Sequence, residues 1–246
     1  MTKRLFRVAS VAQFLLGAVF SAAAPARAQD KPAAPAKTAD EQKPGTPETS
    51  AGAGKPLPRT PERFLAIAEK LKAAGKYEPR NGSTYCNWYA RDFVKELLGQ
   101  PLPELTGQAN EQLTKMAASP DWEKGILVYG PGAVTNGRES LKGMTARELQ
   151  PQQDAGKLIL YGWKHPEWSL EMPREQRQKL HGHIAVGMPL KPGDSLASDE
   201  VWGTKENPVL VPMTAQSGSK VFAYGKLSQG FGAKRKNDIL VFIYTK

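Results

Sequence analysis

The stretch STYCNWYARDFV, residues 83–94, holds Cys86, the only cysteine among 246 residues. A lone thiol forms no internal disulfide, so Cys86 is either a small buried hydrophobe or a nucleophile. Its position bears on the choice. If Thr84 caps the helix that follows, Cys86 lies in the first turn, where unpaired backbone N–H groups and the helix dipole stabilise a thiolate. Those N–H groups can also hold the oxyanion that forms when a carbonyl is attacked.

A thiolate nucleophile needs a base, and the chain offers His165, His181 and His183. His165 stands in a Trp/Pro-rich loop and His181 just before a glycine. His183 opens the apolar run Ile184-Ala185-Val186, and a strand-edge histidine can be aimed rigidly at a neighbouring helix terminus. A third group would orient the ring. If 183–188 and 209–216 pair as a long-looped hairpin with Met188 opposite Val211, His183 lies opposite Gln216, whose amide then either positions the ring or is a polar strand end. Tyr77 and Tyr85 are candidate oxyanion donors or packing residues.

The elements that would place these groups follow from periodicity. Thr60-Pro61-Glu62 is a helix start: a hydroxyl cap, proline at the first helical position, then an acid near the positive end of the dipole. Phe64, Ile67, Ala68 and Leu71 follow at helical spacing up to Gly75. After a turn at 78–82, Ser83 or Thr84 caps a second helix with Cys86, Ala90, Phe93, Val94 and Leu97 on one stripe. A third helix is expected over Thr106–Ala117, with Ala109, Leu113 and Met116 inward. From Gly125 onward short β-type runs prevail: Lys157–Trp163, His183–Met188, Val209–Gln216 and Asp238–Tyr244. Helices first and strands later imply an α+β domain, its helices packed on one side of a central antiparallel sheet.

Before this domain, Lys3, Arg4 and Arg7 precede an apolar run from Val8 to Phe20 and an Ala26-Arg27-Ala28 site. This is the pattern of a secretory signal peptide over 1–28, and the run is shorter than the roughly 20 residues that span a bilayer. No cysteine stands at the end of the run, so no lipid anchor is expected at that site. Residues 29–59, rich in Pro, Ala, Thr and Lys, read as a disordered linker, which leaves 60–246 as the folded domain. The net charge of +10 falls to +6 without the signal peptide and favours an anionic partner. In an exported protein the expected partner is the cell wall rather than nucleic acid or a stable membrane anchor. The residues name no inhibitor or immunity protein. No His/Cys/Asp cluster has ligand spacing, so neither metal nor organic cofactor is expected.

TYCNWYARDF followed by GHIAV resembles the Cys-His amidohydrolases and peptidases of the papain-like superfamily, the CHAP and NlpC/P60 group of cell-wall hydrolases. A closer likeness is to members with a TYCN nucleophile helix and a later AQ-x-G…GFG stretch, here Ala215–Gly218 and Gly230–Gly232. It spans about Tyr77–Tyr244. The resemblance implies a papain-like fold, with Cys86 as nucleophile, His183 as base and Gln216 as orienter. It also implies hydrolysis of peptidoglycan amide bonds, and the order Cys then His argues against the permuted, lipid-acting branch. A wall-peptide binding module and a transglutaminase-like acyl transferase are the alternatives. The long, charged segment Lys164–Leu180 departs from the family pattern and is expected to cover or reshape the cleft.

Overall fold

Thr60 opens the first helix as its neighbours require: its hydroxyl accepts from the Arg63 N–H, Pro61 follows, and Glu62 lies in the first turn. This helix, α1 (Pro61–Ala73), buries Phe64, Ile67, Ala68 and Leu71. The second, α2 (Cys86–Leu98), buries Tyr89 besides the five stripe residues expected. Its N-cap is Tyr85, not Ser83 or Thr84, and no side chain caps it; Ser83 instead bridges Arg80 through backbone bonds. The third, α3 (Ala109–Ala118), starts three residues later than expected, where the Glu111 carboxylate accepts from the N–H of the N-cap residue Gln108. It buries Ala109, Leu113 and Met116, together with Asn110 and Gln112.

The computed structural model describes residues 57–80, 83–129 and 140–246. The expected signal peptide, most of the expected linker, and two residues of the turn at 78–82 lie outside them. After α3, the described chain forms β1 (Trp122–Leu127), β2 (Lys142–Met144), α4 (Ala146–Asp154), β3 (Ile159–Trp163), α5 (Arg174–Arg177) and β4 (His183–Gly187). It continues through β5 (Ala197–Asp199), β6 (Val209–Val211), β7 (Met213–Gln216), β8 (Phe222–Lys226), α6 (Leu227–Phe231) and β9 (Leu240–Tyr244). One sheet runs β2-β1-β9-β3-β4-β7-β8, antiparallel except for the β1–β2 pair. The domain is α+β.

Two expectations are corrected. The run Val209–Gln216 is not one strand. Pro212, which has no N–H to give a ladder, divides it into β6, which pairs with β5 as a separate ribbon, and β7, which joins the main sheet. Nor do helices cover one side only. α1, α2 and α3 pack on one face with Leu160, Ile184, Val186, Ala215 and Phe242. α4, α6 and residues near the β5–β6 ribbon cover the other, over Ile159, Tyr161, Ala185 and Val241. Because both faces are covered, the central strands are buried at every position of β4 and nearly every position of β3.

Both ends of the charged segment between β3 and β4 are tied to one side chain. Asn110, fully buried on α3, accepts from the His165 N–H at 3.0 Å and donates to the Leu180 carbonyl at 2.7 Å. One amide thus closes both ends of 165–180. Gly182 follows because a Cβ there would run into the Asn110 carboxamide and the Trp163 carbonyl. Asn110→Leu removes the partner of two partly buried backbone groups. The expected loss is about 0.5–1.5 kcal/mol for each, seen as a lower denaturation midpoint and faster proteolytic cleavage within 165–180.

Candidate active site

Cys86 is the first residue of α2, at the end that faces the start of β4. No side chain caps this helix, so none of its first N–H groups is taken by a cap. Two backbone N–H groups, of Asn87 in the first turn and Ile184 in β4, donate to the sulfur. His183 bonds the same sulfur through its ring and Gln216 through its Nε2, which lies 2.6 Å from the Gln216 Oε1. Gln216 accepts with an oxygen, so Nε2 carries a proton and Nδ1 is the nitrogen left to face the sulfur.

The contact with Gln216 arises from a register two residues away from the expected one. Val186 pairs with Ala215 and Gly187 with Thr214, and Met188 donates to Met213, not Val211. Extending that register sets Gln216 level with Ala185. Side chains alternate with a period of two, so a two-residue slip keeps Gln216 on the same face as His183, and its amide reaches the ring along the diagonal.

His183 stands at the first position of β4, where the two layers meet. Cys86 belongs to the core on the α1–α3 side, whereas Phe231 of α6, packed edge-on against the imidazole at 4.8 Å, belongs to the other core. Gly230 lies beneath the Gln216 carboxamide, and a Cβ there would occupy the position of Oε1. Ser228 donates at 2.5 Å to the buried Asp199, which also accepts from the Trp202 N–H and so fastens α6 to the β5 ribbon.

Cys86 is 3 % exposed and His183 6 %, and burial sets the electrostatics of both. Burial alone raises the thiol pKa; the charge and hydrogen bond of His183, aided by the Ile184 and Asn87 N–H groups, outweigh it and hold Cys86 below its ordinary value. Burial alone lowers the imidazole. The charge and hydrogen bond of Cys86, with the Gln216 bond, outweigh it against a smaller opposing push from Arg235, and His183 is raised. The two shifts together favour a thiolate–imidazolium pair. Such a pair can attack an acyl carbon and then protonate the leaving group.

The other expected candidates fall elsewhere. The Tyr77 hydroxyl donates to Asp92 at 2.6 Å and its ring packs edge-on to Tyr89, while Tyr85 packs against Trp88. Ser217 donates to the Tyr77 carbonyl at 2.6 Å. His165 packs on Trp163 and accepts from the Glu167 N–H; His181 is exposed. Among the described residues no group of three His, Cys, Asp or Glu could hold a metal ion. The sequence reading missed Asn87, which supplies one N–H to the sulfur, and Gln112, whose Nε2 bridges the carbonyls of Asn87, Leu105 and Gly107. A buried glutamine among apolar helix positions carries no signal beyond its break in the pattern.

No family model matches the chain, and no curated protein matches it.

Two variants test the coupling. In Cys86→Ala the anion is gone, so burial and Arg235 dominate, and the His183 pKa should fall below the ordinary value of about 6.5, read from its ring resonances by NMR. In Gly230→Ala the new methyl displaces the Gln216 amide. The ring should lose its fixed tautomer, visible in the imidazole nitrogen shifts.

Proposed function

We propose that the protein is an exported cysteine amidase or endopeptidase of papain-like architecture that hydrolyses amide bonds in peptidoglycan. The observation that carries this reading is the imidazole of His183 held between the Cys86 sulfur and the Gln216 amide. A helix presenting a thiol at its N-terminus, packed on a strand that starts with histidine, is the arrangement papain-like hydrolases use. The motifs around Cys86 and His183, the expected signal peptide and the basic charge support the wall as substrate. Among the described residues no helix is long and apolar enough to cross a membrane.

The steps follow from the groups present. The Cys86 thiolate attacks the amide carbonyl, and the oxyanion turns toward the uncapped N–H groups of α2. Collapse of this intermediate breaks the C–N bond as His183 gives its proton to the departing amine, leaving a thioester and a neutral ring. Water then attacks the thioester, His183 takes its proton, and the thiolate leaves. The products are a free amine and a carboxylate, and the ion pair is restored. Gln216 holds the Nε2–H throughout, so Nδ1 remains aimed at the sulfur.

Purified muropeptides analysed by mass spectrometry test the reading. New amine and carboxylate ends that vanish in Cys86→Ala support hydrolysis; new crosslinks would make the protein an acyl transferase, and unchanged masses a binding module. His183→Ala should abolish turnover, His165→Ala and His181→Ala should reduce it modestly, and Gln216→Ala should slow it by about 10- to 1,000-fold.

The pH dependence follows from the directions of the shifts. The reactive pair exists above the lowered Cys86 value and below the raised His183 value. Iodoacetamide should therefore alkylate Cys86 well under the free-thiol pKa of about 8.5. In His183→Ala the lowering influence is lost and burial remains, so the alkylation profile should move to higher pH. An unchanged profile would sink the ion-pair reading.

A further inference from the structure

A cleft of ≈ 250 Å³ is walled by α2, α3 and α5, and its lining includes Asn87, the residue after Cys86. Its lining carries Arg91, Arg174 and Arg177 against a single acid, Glu111. The guanidinium groups are unequally engaged. Arg91 is held by Asp92 at 2.9 Å and lies 5.9 Å from the Trp88 ring. Arg177 meets Glu111 only at 3.5 Å, and its Nε–H has no acceptor. The side chain of Arg174, an exposed lining residue, has no hydrogen-bond or ion-pair partner among the described residues. Trp88, 43 % exposed, forms an aromatic rim.

We propose that this cleft is a specificity subsite for a free carboxylate on the peptide being cleaved, read by Arg174 and Arg177. The proposal rests on the hydrolase reading for the identity of the peptide, but its binding chemistry stands on the cleft. A planar guanidinium with unmet donors matches the two oxygens of a carboxylate, and two of them beside one acid leave the site short of negative charge. The volume lies below the roughly 300–1,000 Å³ of sites that enclose drug-sized ligands. It fits one acidic side chain or chain terminus, not a length of polymer. Asn87, which follows Cys86 in α2, lines this cleft, so on the hydrolase reading the bound carboxylate belongs to the same peptide as the amide being cut. The tether at Asn110 gives the charged 165–180 segment a role here, because α5 brings both arginines to α3.

The test separates recognition from cleavage. Binding of two stem peptides, identical except that one has its free carboxylates converted to carboxamides, is measured by calorimetry on the Cys86→Ala protein, which cannot turn over. The acidic peptide should bind at least about tenfold more tightly, with the advantage shrinking as salt is raised. Arg174→Gln/Arg177→Gln should bring the two affinities together, and Arg174→Glu, at an exposed position that tolerates change, should reverse the preference. Equal binding of the two peptides, or a preference surviving in these variants, overturns the subsite. Should acidic peptides bind selectively while wild-type protein cuts nothing, the hydrolase reading fails and the subsite stands. In active wild type, amidation should raise KM far more than it lowers kcat.

Discussion

A thiol and an imidazole buried together, with shifts that favour their charged forms, constrain everything around them. Either charge alone in so dry a place would be expelled by protonation or deprotonation. Together they hold each other, provided the remaining donors and acceptors are also met. The Ile184 and Asn87 N–H groups meet those of the sulfur, and Gln216 meets that of the ring. Each partner comes from a different element, so the pair is only as firm as the packing of α2, β4 and β7 upon one another. Gln216, being neutral, orients the ring without adding a charge that would have to be buried in turn.

The seam location explains the two-layer architecture. A side chain in the middle of a sheet face meets one layer only. His183, at the first position of its strand, meets sulfur from the α1–α3 side and amide and Phe231 contacts from the α6 side. The Ser228–Asp199 bond anchors α6, the helix whose Gly230 and Phe231 pack against the Gln216 amide and the His183 ring.

How much of this was legible in the sequence varied with the physics behind each signal. α1 and α2 were readable because a single stripe of apolar residues faces one core, and the inward positions of α3 because the same rule holds there. Cys86 and His183 stood out by rarity and position. Gln216 was placed beside His183 through a register wrong by two residues, since face assignment depends only on parity. The second layer was hidden for a different reason. α4 reads QPQQD in its second half, with Pro151 inside, although Thr145 and Glu148 form a capping box that announces its start. The ribbon of β5 and β6 has three residues in each strand, too few for a pattern. Asn110 was hidden among apolar positions because its partners lie 55 and 70 residues away, a relation that no local window contains.

That one asparagine has a consequence for how the protein can vary. A loop whose two ends converge on a single side chain is closed independently of what lies between them, and the entropy of closure grows only with the logarithm of its length. Changes of length within 165–180 that keep the buried Trp168 and the Arg177–Glu111 pair should therefore leave the sulfur, ring and amide in their places. On the hydrolase reading, selectivity could then be altered within this span without touching Cys86, His183 or Gln216.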